Sequence, residues 1–298
     1  MDTPNKIQGS IVAAVTPMLK NGEIDEGAFS ALLEWHAESG TAAILVAGTT
    51  GESPTLSMDE NQRLIARAVK WSGGRTPIIG GVGSNSTSEA VSLTKQAAAD
   101  GANIGLSVVP YYNKPSQEGL FRHFSAVADC SEMPILLYDV PKRCVVSLET
   151  DTVARLSEHP NIIGIKDAAG DIARFREQQK AAADGFLFYS GDDSTAAEYI
   201  LAGGDGVISV TANIAPRPMA EMVAAALSGD AEETRRRDSI LRPFHSAQAA
   251  ESSPAPVKWA LAEDGRIGPA LRLPLTPLRE EYHAVVRDAV HHTRKGES

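Results

Sequence analysis

Apolar positions along this chain fall into two alternating patterns. Short runs, apolar at nearly every position, occur at residues 11–15, 43–46, 77–81, 104–108, 135–138, 162–166, 185–190 and 206–210. A run without polar alternation reads as a strand of a parallel sheet covered on its outer face. Longer stretches of helical spacing lie between the runs, several of them with start signals. Asp25 precedes Glu26, Ser57 stands three residues before Glu60, Ser116 follows Pro115, and Ser147 precedes Leu148 and Glu149. In the Ser57 and Glu60 pair, the serine oxygen accepts a first-turn amide and the carboxylate reaches back. Eight strand–helix repeats in about 230 residues predict an α/β chain folded as a (β/α)8 barrel. A doubly wound open sheet is the competing architecture. Beyond residue 230 no strand run appears. Residues 231–250 and 278–292 have helical spacing, and a Pro-rich loop is expected at 253–257. The expected division is a barrel over 1–229 and a helical C-terminal domain over 230–298.

Composition narrows the function classes. The 298 residues carry a formal net charge of −10, so nothing electrostatic favours nucleic acid or an anionic bilayer. The one dense basic cluster, Arg235-Arg236-Arg237, is flanked by Glu233 and Asp238 and reads as a solvated helix face. Two cysteines, Cys130 and Cys144, are too few for a disulfide framework or a Cys-based zinc site, and free thiols are expected. No apolar run is long enough to span a membrane. Residues 11–19 faintly imitate a signal peptide, but Pro17 interrupts them and no cleavage site follows. A cytoplasmic location is the expectation. The histidines never form His-Glu-x-x-His, so no metal site is expected. Gly81-Val82-Gly83 begins like a dinucleotide loop but lacks its third glycine.

Barrel enzymes gather their reactive groups at the carboxyl ends of the strands. After the second run comes Gly48-Thr49-Thr50-Gly51-Glu52-Ser53. Its glycines allow a sharp turn in which amides and two hydroxyls converge on a small anion; a plain polar turn is the alternative. After the fourth comes Pro110-Tyr111-Tyr112-Asn113-Lys114-Pro115, a stiff aromatic element also suited to packing or an interface. The fifth run ends at Tyr138, followed by Asp139-Val140-Pro141-Lys142-Arg143. Tyr138 moves protons only within a relay, since a free phenol titrates near 10; otherwise it is a core tyrosine. Arg143 offers a planar fork to a carboxylate, or is an ordinary surface arginine. The sixth run ends at Lys166. A lysine closing an apolar strand either turns out to solvent or is a desolvated amine that forms a Schiff base. Gly191-Asp192-Asp193 is expected to cap a helix starting near Thr195.

Taken together and in order, these motifs resemble the class I aldolases of the dihydrodipicolinate synthase and N-acetylneuraminate lyase superfamily. The resemblance runs on through Ser190-Gly191-Asp192-Asp193, Gly206-Val207-Ile208-Ser209-Val210, Pro256-Val257-Lys258 and Leu271-Arg272-Leu273-Pro274, and so covers nearly the whole chain. The paired tyrosines, Arg143 and the stretch from Gly206 to Asn213 look most like the dihydrodipicolinate synthase branch. That resemblance implies a homotetramer or homodimer that condenses pyruvate with L-aspartate 4-semialdehyde in lysine (diaminopimelate) biosynthesis. It implies an imine on Lys166, with Tyr138 as proton donor and acceptor linked through Thr49 to Tyr112 of a neighbouring subunit. Thr50 would hold the pyruvate carboxylate near the Ile208 main chain, and Arg143 would recognise the semialdehyde carboxylate. No cofactor or metal is implied.

Two departures qualify it. Asp139 stands where the family commonly has Asn, and Cys144-Val145 follows Arg143 where it often has Thr-Gly. A carboxylate there is expected to weaken semialdehyde binding unless it is turned away or paired. The alternative is another pyruvate-dependent aldolase or dehydratase of the superfamily, acting on a sialic acid, keto-deoxy sugar acid or hydroxy-oxo acid. Ser53, Asn85, Glu89 and Tyr111 match an allosteric lysine site of many relatives. Met58 and Asn61, however, replace the histidines of lysine-sensitive forms, so weak or absent lysine feedback is expected.

Overall fold

Strand pairing sets the architecture. β1 (Gly9–Ala13), β2 (Ala43–Val46), β3 (Ile78–Gly81), β4 (Ile104–Val108), β5 (Ile135–Asp139), β6 (Ile162–Asp167), β7 (Leu187–Ser190) and β8 (Gly206–Ser209) pair in chain order, and β8 returns to β1 to close a barrel. Every pairing is parallel. The structure is a computed structural model describing residues 7–295. The barrel expected from the sequence is observed, and closure excludes the open sheet. All eight expected runs form strands, with small shifts at their ends. β1 ends at Ala13 rather than Val15 because the Val15 amide donates to the Asn213 side chain (3.0 Å) instead of a neighbouring strand.

The connecting helices are α1 (Glu26–Glu38), α2 (Met58–Ser72), α3 (Thr87–Ala99), α4 (Gln117–Asp129), the short α5 (Pro141–Cys144), α6 (Thr150–Ser157), α7 (Ile172–Ala181), α8 (Ala196–Leu201) and α9 (Pro216–Leu227). Asp25 and Ser116 cap α1 and α4, accepting from the amides of Ala28 (2.9 Å) and Gly119 (3.2 Å). The Ser57 and Glu60 box forms in both directions, at 3.2 and 2.9 Å. Ser147 is a correction. It caps nothing: its Oγ accepts from Arg174 (3.0 Å) rather than from a helix amide while its proton goes to Asp139 (2.7 Å), and α6 starts only at Thr150.

Three further helices follow, α10 (Ala231–Ala247), α11 (Ala255–Glu263) and α12 (His283–Lys295). Most of the loop expected at 253–257 is the start of α11. Pro256 lies in the first turn, where its missing amide hydrogen has no helical partner to lose. Every residue from 255 to 261 is buried, so α11 has no polar face to betray its period.

One of those buried residues is Lys258. Its ammonium pairs with the equally buried Glu52 and donates to the Thr16 carbonyl (2.9 Å). The other Glu52 oxygen accepts from the Arg272 amide (3.0 Å). Glu52 holds a left-handed φ of 59°, unusual for a residue with a side chain. The C-terminal segment thereby pins the loop after β2. Lys258→Met strands the Glu52 carboxylate in an apolar site. It is expected to cost about 3–5 kcal/mol in urea unfolding, and less when combined with Glu52→Gln. Equal stability of the single variant and the wild type would contradict this role.

Candidate active site

Strand alternation and register place the reactive residues. Tyr138 on β5 pairs with Lys166 on β6, which pairs with Tyr189 on β7. Lys166 Nζ lies 4.3 Å from the centroid of the Tyr138 ring, and both side chains are buried. Together with Thr49 and Thr50 they line a small cavity of about 30 Å³. Lys166 packs closely against the residue that follows β7: a Cβ at Gly191 would fall 2.9 Å from Ala168 Cβ and 3.0 Å from Lys166 Cε, so any side chain there would press on both.

Burial lowers the Lys166 pKa from 10.5 to about 8, Asp193 opposing the shift and Arg143 adding to it. At pH 7.5 about one molecule in four then carries a neutral amine, against about one in a thousand for a free lysine. Burial also pushes Tyr138 up to about 12, with Arg143 and a hydrogen bond from Thr49 acting the other way. Tyr138 is therefore a neutral phenol at working pH, able to pass a proton through hydrogen bonds but not to act as a free base.

The loop after β2 carries strain. Ala47 has a φ of 55°, and a Cβ at Gly81 would meet its carbonyl oxygen at 2.1 Å, so β3 runs tight beneath it. The amides of Gly51, Glu52 and Ser53 bond within the loop, to Gly48, Thr49 and Gly48 respectively. They are not free for an anion. The converging donors read from the sequence thus reduce to the Thr49–Thr50 end of the loop.

The remaining expected residues divide. Arg143, presented by α5, lines a larger cavity of about 460 Å³ that shares Thr49, Ser53 and Gly83 with the inner one. Its guanidinium donates to the Ser253 carbonyl at 3.2 Å. Ile208 is buried on β8 and lines neither cavity. Tyr112 lies outside both. It is 88% exposed, with a left-handed φ of 73°, a costly conformation for a bulky side chain. Tyr111, Met58, Asn61 and Glu89 line the outer cavity.

Asp139 is fully buried on the outer face of the sheet. It accepts from Ser147 (2.7 Å), the Leu148 amide (3.1 Å) and Arg174 on α7. The repulsion expected from it does not arise, because it is both paired and turned away. The acids after β7 do not cap α8. Asp192 accepts from the Thr195 hydroxyl (2.9 Å), while Asp193 accepts from the amides of Val210 (3.1 Å) and Thr211 (2.8 Å). Sequence reasoning gave no role to Lys258 or Arg174, and to Asp193 only that of a helix cap. Lys258 shows the same signal as Lys166, a lysine inside an apolar run. Arg174 and Asp193 act through contacts that only the fold creates. Among the described residues no group of acids, histidines and cysteines is placed to hold a metal, and no helix is long and apolar enough to cross a membrane.

A closed parallel barrel, with a desolvated lysine and a buried tyrosine side by side at the carboxyl ends of adjacent strands, is the arrangement of a lysine-dependent aldolase. The chain belongs to the dihydrodipicolinate synthetase family, whose model matches residues 6–293. It is 52% identical over 285 residues to the 4-hydroxy-tetrahydrodipicolinate synthase of Thiobacillus denitrificans, covering 96% of each chain. Its fold matches the chloride-inhibited dihydrodipicolinate synthase of Acinetobacter baumannii complexed with pyruvate, with a TM-score of 0.95, 49% identity, and coverage of 96% of this chain and 99% of that one. It also matches the synthase of Cyanidioschyzon merolae with lysine bound, with a TM-score of 0.94, 35% identity, and coverage of 97% and 99%.

Proposed function

We propose that the chain condenses pyruvate with L-aspartate 4-semialdehyde to 4-hydroxy-tetrahydrodipicolinate in lysine (diaminopimelate) biosynthesis. The observation that carries this reading is Lys166, buried beside Tyr138 with its pKa lowered to about 8. Relatives named for this reaction support the choice of substrates. The neutral Lys166 amine attacks the pyruvate ketone, and loss of water gives an imine. The protonated imine draws electrons from the methyl group, a methyl proton leaves, and an enamine forms. The enamine carbon bonds to the semialdehyde carbonyl carbon. The new substrate's own amine then displaces Lys166 by transimination and closes the ring. Tyr138 gives and takes the protons, linked through Thr49. Thr50 holds the pyruvate carboxylate near the Ile208 main chain, and Arg143 at the mouth receives the semialdehyde carboxylate.

The proposal includes a homotetramer or homodimer in the cytoplasm, needing no cofactor. Tyr112 completes the relay of a neighbouring subunit. Its exposure and strained backbone support that role. The proposed division is a catalytic barrel over 1–229 and a helical domain over 230–298, whose Lys258 braces the barrel. Assay of the purified protein with pyruvate and the semialdehyde tests the reading. Turnover there, with no cleavage of sialic, keto-deoxy sugar or hydroxy-oxo acids, supports it; the reverse pattern overturns it.

Two expectations follow from the site. Only the neutral amine attacks, so imine formation rises with pH and levels off above about 8. On the acid side the rate falls about tenfold per pH unit. Single-turnover imine formation measured across pH checks this, and a flat profile would contradict it. Lysine is expected to inhibit weakly. Met58 offers no polar group to a second amino acid, and the Asn61 Nδ2 already donates to the Gly81 carbonyl (3.2 Å). A lysine dose–response curve should stay flat into the millimolar range.

A further inference from the structure

Tyr138 and Lys166 face the barrel interior, so the residues that follow them face outward. Those residues are Asp139 and Asp167, themselves paired in register on β5 and β6. Both carboxylates meet one guanidinium. Arg174 Nη1 donates to Asp167 (2.7 Å), and Nη2 donates to Asp139. The same Nη2 donates to Ser147 Oγ (3.0 Å) and the Leu148 carbonyl (2.9 Å). Asp167 also accepts from the Ala169 amide (2.9 Å), at the head of the loop leading to α7. Every bond of this cluster lies directly behind the two residues assigned to the chemistry.

Stability alone does not account for the cluster. Two buried carboxylates share one cation, and an oxygen of each, Asp139 Oδ1 and Asp167 Oδ2, is buried without a hydrogen-bond partner. Such an arrangement costs free energy compared with a well-packed apolar one of similar volume. The β5–β6 pairing gives a reason to keep it. Its register shifts between Ile135 and Leu136, at the far end of the strands from the site. A bulge there bends and twists the pair, so a contact at the carboxyl end is needed to fix how the strands lie where the chemistry occurs.

We propose that Arg174 is a positioning residue: by bridging Asp139 and Asp167, its planar fork fixes the placement of Tyr138 relative to Lys166 on the other face of the same two strands. This rests on the roles given to Lys166 and Tyr138 above. A guanidinium spans two carboxylates with fixed geometry, and a lysine ammonium does not. The clamp is not needed to form the imine, which requires only Lys166. It matters when the tyrosine must reach the methyl proton of the bound keto acid. A misplacement on the order of 1 Å costs about a hundredfold in rate.

Two variants test it, each measured per folded molecule by circular dichroism. Arg174→Lys keeps a charge but loses the fork. The triple variant Asp139→Asn, Arg174→Met, Asp167→Asn removes the clamp without leaving a buried charge unpaired. The clamp predicts that the KM for pyruvate and the borohydride-trapped adduct stay close to wild type. It predicts that kcat, and exchange of pyruvate methyl protons in deuterated water, fall about tenfold in the first variant and about a hundredfold in the second. Turnover and exchange within about twofold of wild type in whichever variant folds would overturn it, as would a proportional loss of adduct and turnover together. If the wild type itself traps no adduct, the lysine chemistry is wrong instead, so the two failures are distinguishable.

Discussion

Lys166→Ala is expected to abolish turnover and to leave no covalent adduct with pyruvate. No other described lysine lines the inner cavity, so nothing can replace the amine. The loss should exceed that of any other single substitution at the site, because covalent capture precedes every later step. The same position makes a second, opposite prediction. The folded protein holds the Lys166 pKa at about 8 against 10.5 for an unperturbed lysine. Protonation is thus weaker in the folded state than in the unfolded chain. The resulting penalty is complete below pH 8, shrinks between 8 and 10.5, and vanishes above. Its size is about 3 kcal/mol. Lys166→Met, which keeps the volume and drops the charge, should therefore be inactive yet more stable by about that amount at pH 7. Urea unfolding at pH 7 and again above pH 10 checks it: the gain should be present in the first and gone in the second. Equal stability at pH 7 would mean the amine is better solvated than the structure indicates.

Tyr138→Phe carries the next largest effect. The ring remains, and with it the packing against Lys166, so pyruvate should still bind and still be trapped. The hydroxyl is lost, and with it the proton relay through Thr49. Turnover should fall by about 10²–10⁴-fold with little change in the KM for pyruvate. Steady-state kinetics together with adduct formation separate the two effects. A variant that loses binding and turnover equally would make Tyr138 a packing residue, the alternative open from its sequence alone.

Much of this was legible in the sequence. The strands stand out because parallel strands covered on both faces need no polar alternation. Lys166 stands out for the converse reason, a charge ending a run that otherwise excludes charges. The failures have physical causes too. α11 is buried through its first seven residues, so its helical period leaves no trace in polarity. Ser147 has the composition of a cap, but its oxygen accepts from the Arg174 guanidinium instead of a helix amide while its proton goes to Asp139. Asp139 itself looks like an electrostatic conflict in one dimension. Only the fold shows that α7 delivers Arg174 to it from 35 residues away. Residues that react announce themselves by being out of place, whereas residues that hold them in position depend on tertiary contacts.

The central claim is that the Lys166 amine, desolvated in the barrel, captures a keto acid. Borohydride reduction in the presence of pyruvate, followed by proteolysis and mass spectrometry, tests it most directly. One reduced pyruvate per chain on the peptide containing Lys166 is the predicted result. A label on any other residue, or no label, would contradict the account.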